Sequence, residues 1–166
     1  MADYHSPTIV DPVIPLADIN EMERLLLGKI FEYDEGGDSL YFHHWAGPES
    51  VIYVNRRDFE AAVVKAHYEE DSPLAELVEQ AKNAEPIGEE IELDMSETSF
   101  EFLFQSIIRR SSTLKYILVI TSFTCTKMRP DGFGGMATVV TDDTISCKTT
   151  HDIIAELLED AGIEVT

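Results

Sequence analysis

The sequence predicts an α+β fold, a mainly antiparallel sheet of about five strands with about five helices packed on it, from three observations. Segments with helical and strand periodicity follow one another as α-β-β-α-α-β-α-β-β-(β)-α, so neighbouring strands are joined by short turns rather than by crossover helices. The chain has 166 residues, 44 % of them hydrophobic and 27 % charged, which suits one domain able to bury roughly two thirds of its unfolded surface. No internal repeat and no long linker divides it, so residues 1–15 read as an extended, proline-punctuated leader and residues 16–166 as a single domain.

The elements follow in order. Ala17 to Phe31 places Met22, Leu25, Leu26 and Ile30 on one helical stripe, and "YDEGGDS" at 33–39 ends it. "SLYFHHW" at 39–45 and "SVIYV" at 50–54, joined by "AGPE", read as a hairpin. Asp58 to Glu69 has Phe59, Ala62, Val63 and Ala66 at helical spacing, and Pro73 opens a helix with Leu74, Leu77, Val78 and Ala81 on its face. "GEEIELD" at 88–94 alternates as a strand, and Asp94 or Ser96 is placed to cap a helix whose wide apolar face is Phe100, Leu103, Phe104, Ile107 and Ile108.

"LKYILVITSFTCTKM" at 114–128 is the strongest strand signal. Tyr116 to Ile120 is apolar on both faces and predicts cover on both sides; beyond it the alternation of Phe123 and Cys125 with Ser122, Thr124 and Thr126 predicts cover on one. "MATVVT" at 136–141 pairs back on it, "TISCK" at 144–148 is a further short strand, and Thr149 or Thr150 caps a last helix expected to bury Ile153, Ile154, Leu157, Leu158 and Ala161.

The formal net charge is −20, unevenly spread. Residues 1–108 carry 24 acids against 6 bases, residues 109–148 carry 3 acids against 6 bases, and the final eighteen carry 5 acids and no base. Such an acidic surface repels phosphate backbones and anionic lipid heads, which argues against direct nucleic-acid or membrane binding and favours a basic protein partner. No apolar run is long enough to cross a bilayer and no signal peptide opens the chain, so the expected location is cytoplasmic. Cys125 and Cys147 are expected to be free, buried thiols in strands.

The basic segment contains the candidate binding residues. Arg109 and Arg110 end a helix, where cations complement the partial negative charge of the carbonyl end. With Lys115, Lys127, Arg129 and Lys148 they would form one basic ridge if their elements shared a face, able to meet the acidic surface of a second copy or an anionic ligand. In "KMRPDGFGG", 127–135, Pro130-Asp131-Gly132 is turn chemistry and Gly132, Gly134 and Gly135 permit positive φ. The same loop offers backbone N–H groups beside Lys127 and Arg129 as an anion-binding concavity, and Phe133 as an apolar docking tip.

Other chemistry has little to build on. His43 and His44 are adjacent in a strand and point to opposite faces, and no third ligand lies at metal spacing. His67 reads as a partly buried structural histidine. There is no P-loop, no G-x-S-x-G and no calcium-loop pattern, so no cofactor or metal is expected. The function expected is therefore a non-enzymatic acidic interaction protein that binds itself as a homodimer, or binds a basic protein by charge complementarity, with an inhibitor or decoy of a DNA-handling protein as its sharper form. The alternative is a binder or enzyme for a small anionic ligand, with the 127–135 loop, Arg109, Arg110 and Tyr116 forming the site.

Overall fold

The computed structural model describes residues 2–66, 68 and 72–163. Among them the chain forms ten strands and five α-helices. β1 (Tyr4–His5), β2 (Thr8–Asp11), β3 (Ile14–Pro15), α1 (Glu21–Ile30), β4 (Glu32–Gly36) and β5 (Ser39–His44) come first. β6 (Val51–Asn55), α2 (Arg56–Lys65), α3 (Pro73–Asn83), β7 (Glu90–Asp94) and α4 (Phe100–Arg110) follow, then β8 (Ile117–Cys125), β9 (Gly134–Val140), β10 (Ile145–Thr149) and α5 (Thr150–Asp160). The α+β class and the antiparallel pairing hold, with more strands than the five expected.

β10, β9, β8, β2 and β5 lie side by side in the main sheet, with β1 beside β8, β3 beside β5 and β4 on the outer edge of β5. Residues 4–15, read from the sequence as part of an extended leader, contribute three strands to the main sheet: Thr8 to Asp11 pair with Thr121 to Leu118 on one side, and Thr8 and Ile9 pair with His44 and His43 on the other. Four residues between Pro7 and Pro12 are too few for their alternation to stand out in the sequence, yet Thr8 and Val10 are buried while Ile9 and Asp11 are not. The expected hairpin of 39–45 with 50–54 is also corrected. β5 pairs with β4 across a tight turn that Gly37 enters at φ +62°, so "YDEGGDS" is a strand and turn rather than a break. β6 pairs with β7 in a separate two-stranded sheet, where Ile52 and Val54 face the core with Ile91 and Leu93.

One face of the main sheet is covered. Val10, Ile14, Leu40, Phe42, Ile117, Val119 and Val140 pack in one cluster with Met22, Leu26, Leu27 and Ile30 of α1 and Leu103, Phe104, Ile107 and Ile108 of α4. The same cluster takes in the inner face of β6–β7 and Phe59, Ala62, Leu77, Val78 and Ala81 of α2 and α3, so the helical periodicities read from the sequence mark the buried stripes. β8 departs from expectation: Ile120 is 40 % exposed and Leu118 half-buried, because α1 and α4 cover only the side to which Ile117 and Val119 point. α4 begins at Ser99 without a side-chain cap, while Asp94 accepts the Ser96 N–H at 2.9 Å in a local turn instead of capping the helix. His67 lies outside the described residues.

α1 and α4 are locked by a polar contact. Glu23, 2 % exposed, closes a capping box with Asn20 and accepts a 2.5 Å hydrogen bond from Arg110 Nη2, which also donates to Asp18 O at 3.2 Å. Burial pushes the Glu23 carboxyl above the usual glutamate value, opposed by the Arg110 guanidinium and the Asn20 amide. A raised folded value means that the folded state holds the proton more tightly, so this group's contribution to stability falls as pH rises through the interval above the usual value. Arg110→Ala is expected to cost about 2 kcal/mol at neutral pH by stranding a buried carboxylate. The loss should shrink at mildly acidic pH and be partly recovered by Glu23→Gln in the same chain, as read by urea unfolding of the single and double variants.

Candidate interaction surface

The basic residues singled out from the sequence do not form one ridge. Arg109, Arg110 and Lys115 lie before the start of β8, and Lys127, Arg129, Phe133 and Gly134 beyond its end. The nine residues between span about 30 Å. Most of the cations are also engaged within the chain. Arg109 donates to Asp142 O at 2.7 Å and to Gln105 Oε1 at 3.1 Å, Arg110 is held by Glu23, Arg129 faces Asp131 at 3.3 Å, and Lys148 pairs with Glu156 of α5 at 2.6 Å. Among the described residues Arg109, Lys115 and Lys127 of this group have no ion pair, and Lys127 sits at the opposite end of β8 from the other two. Tyr116 is half exposed just before β8.

The 127–135 loop is a packed hairpin connection. None of Gly132, Gly134 and Gly135 uses the positive φ that glycine permits; close approach is what requires glycine at the first two. A Cβ on Gly132 would lie 2.5 Å from Cys125 Cβ, and one on Gly134 would lie 2.6 Å from Thr150 Oγ1. Three of the amides that would have cradled an anion are spent: Arg129 N–H donates to Lys127 O, Gly132 N–H to Arg129 O and Gly135 N–H to Thr150 Oγ1. Phe133 is 41 % exposed and available as an apolar contact.

A different surface emerges at the same end of the molecule, built by β8, β9, β10 and α5. The β8–β9 register sets Leu118 opposite Val139 and Ile120 opposite Ala137, and β2 adds Ile9 opposite Ile120. These side chains share the uncovered face of the sheet, where Ile9, Ile120, Ala137 and Val139 are exposed. β10 projects past the helices: Ile145 to Lys148 are all exposed, including Cys147, which the sequence reading had placed in the interior. β8 and β9 contain no charged side chain and β10 contains one, Lys148.

α5 carries the largest departure from expectation. Thr149 caps it through a capping box with Asp152, as its sequence suggests, but the helix buries no residue. Ile153, Ile154 and Leu157, expected in the core, are 44 %, 52 % and 62 % exposed, Ala161 is exposed and Leu158 half-buried. The reason is position. The core cluster is closed by α1 to α4, and α5 leaves the sheet from its outermost strand, packing chiefly against β9 and β10. Asp152, Glu156, Glu159 and Asp160 give this amphipathic helix an acidic rim with no lysine or arginine. An amphipathic repeat reads the same whether its apolar stripe meets its own core or another chain, so no sequence signal marked α5 as uncovered.

Catalytic arrangements are not apparent among the described residues. No group of three or more His, Cys, Asp or Glu is placed to hold a metal, and no helix is long and apolar enough to cross a membrane. A cleft of about 250 Å³ between α1, α3 and α4 includes Glu23 and Arg110, whose charges are satisfied by each other. No protein-family model, curated protein or solved structure matches the chain. Gly132→Ala is expected to destabilise the fold by about 1–3 kcal/mol through the clash with Cys125, whereas Lys127→Ala should stay within about 0.5 kcal/mol of the parent; chemical denaturation of both variants checks the structural role of the loop.

Proposed function

We propose that the protein is a non-enzymatic interaction module that binds a basic protein partner through α5 and the adjoining sheet surface. The observation that carries this reading is an amphipathic helix with three large aliphatic residues exposed and none of its residues buried. Monomeric proteins seldom leave a contiguous aliphatic stripe in water, and one rimmed by charge marks a protein contact. The rim gives the partner its chemistry: four carboxylates on α5 and a net charge of −20 call for apolar residues framed by lysine or arginine. A surface that ordinarily grips DNA has that character, which makes a DNA-handling protein the sharper form of the reading. The small-anion alternative has less support, since three amides of its supposed site and Arg109, Arg110 and Arg129 are engaged within the chain.

A synthetic amphipathic helix with leucine on one face and lysine and arginine on the other is the direct probe. Fluorescence anisotropy should show binding that weakens at least about tenfold as salt is raised and that is lost in an Ile154→Asp, Leu157→Asp variant. Equal binding of a peptide with glutamate in place of the basic residues, or binding untouched by the α5 substitutions, would refute the proposal.

A further inference from the structure

We propose that a second copy of this chain pairs with the free edge of β10, joining two main sheets into one across a two-fold axis. The two ends of the sheet differ in a way that points there. At one end, β4 presents its outer edge with Glu32, Asp34 and Glu35 among five exposed residues, which is how proteins guard a strand edge against pairing. At the other end, β10 reads Ile-Ser-Cys-Lys-Thr, with no proline, no acid and one lysine, and is exposed on both faces. An unguarded edge with this composition pairs with another strand unless something covers it.

The register of the hairpin fixes which backbone groups are free. Thr141 N–H donates to Thr144 O at 2.8 Å, and β10 then pairs Ile145 with Val140, Ser146 with Val139 and Cys147 with Thr138. Antiparallel ladders alternate, so Ser146 and Lys148 direct their N–H and C=O groups to β9, whereas Ile145 and Cys147 direct theirs to the open edge, where the Thr149 N–H is spent on Asp152 Oδ2. Two such edges are self-complementary when antiparallel. A symmetric register centred on Cys147 lets its N–H and C=O exchange hydrogen bonds with those of Cys147 in the second copy and sets Ser146 opposite Lys148.

Charge selects a second copy here. Two molecules of net charge −20 repel, and they approach most easily where acids are missing. β8 to β10 form that place, with Lys148 as their sole charged side chain. Asp152 is held against Thr149 at the end of β10, but pairing through Cys147 leaves Glu156, Glu159 and Asp160 of each α5 outside the strand contact, so the dimer would present two copies of the surface proposed above for a basic partner. In naming a partner for the same end of the molecule, this inference rests on that interaction reading.

Sedimentation of the full chain should give a species of twice 18.6 kDa. A short bismaleimide should cross-link it through Cys147, with the buried Cys125 as internal control. Cys147→Asp, at an exposed position, should leave the circular dichroism spectrum unchanged and weaken the dimer at least about tenfold by setting two carboxylates face to face, while Cys147→Ser keeps the dimer and abolishes the cross-link. A monomer at all concentrations, a dimer that Cys147 does not cross-link, or one indifferent to Cys147→Asp would overturn the proposal. Mass and peptide capture are separate readouts: a monomer that still binds the basic peptide defeats only the dimer, and a dimer that fails to bind it defeats only the basic-partner reading.

Discussion

The main sheet depends on the pairing of residues 8–11 between β8 and β5. Take that strand away and the β8–β9–β10 ladder shares no strand with the β4–β5 hairpin, since no other strand pairs with a member of each. Its placement is fixed from both sides and from beneath. Val10 is buried in the core cluster, and the Thr8 hydroxyl meets that of Thr121 at 2.9 Å in the interior. Thr8 spends its own proton on Ser6 O at 3.0 Å, so the Thr121 hydroxyl is the donor to Thr8. A buried polar pair satisfied in this way disfavours a slip of one residue, which would bury Ile9 and Asp11 in place of Thr8 and Val10.

From that constraint follows the one-sidedness of the molecule. With β2 in the centre, α1 and α4 both lie on the face to which Val10, Ile117 and Val119 point, and α2 and α3 close the far side of the same core against β6–β7. All four helices are thereby used. α5 arrives after the last strand, on the margin of the sheet, and the second face of β8 and β9 has no helix left to cover it. The exposed aliphatic stripe of α5 and the exposed aliphatic row on the sheet have one cause, the consumption of every earlier helix by a single core.

Helices were the legible part of the sequence, because each carries its own period: Leu77, Val78 and Ala81, or Leu103, Phe104, Ile107 and Ile108, are spaced as one buried stripe needs and do bury. Strand partners were less so. β4 has no apolar alternation to reveal it, since "EYDEG" is exposed throughout, and β2 is four residues long. β5 and β6 are each plain as strands, but which strands pair is decided by long-range packing rather than by the nearest turn. The proposed site divides in the same way. The charge asymmetry of residues 109–148 is legible and suggests a cluster of cations, whereas the structure spreads the cations over separate elements, three of the six in local ion pairs, and leaves an absence of acids across three strands.

That absence bears more on function than the net charge does. Acidic residues scattered over a surface hold copies apart and keep a protein dissolved, and they do so wherever they are exposed. Solubility alone would therefore place them on β9 and β10, whose outward positions are as wet as those of β4. Those positions hold alanine, valine, isoleucine, serine, cysteine and a single lysine instead, beside a helix whose aliphatic residues face water. Leaving such side chains exposed costs roughly 25 cal/mol for every Å² of apolar surface that contact would remove from water, so covering them supplies a driving force that the acid-rich surfaces lack. On the reading proposed above, the acidic remainder acts as a filter that discourages contact elsewhere and leaves the β8–β10 surface as the side from which another chain approaches.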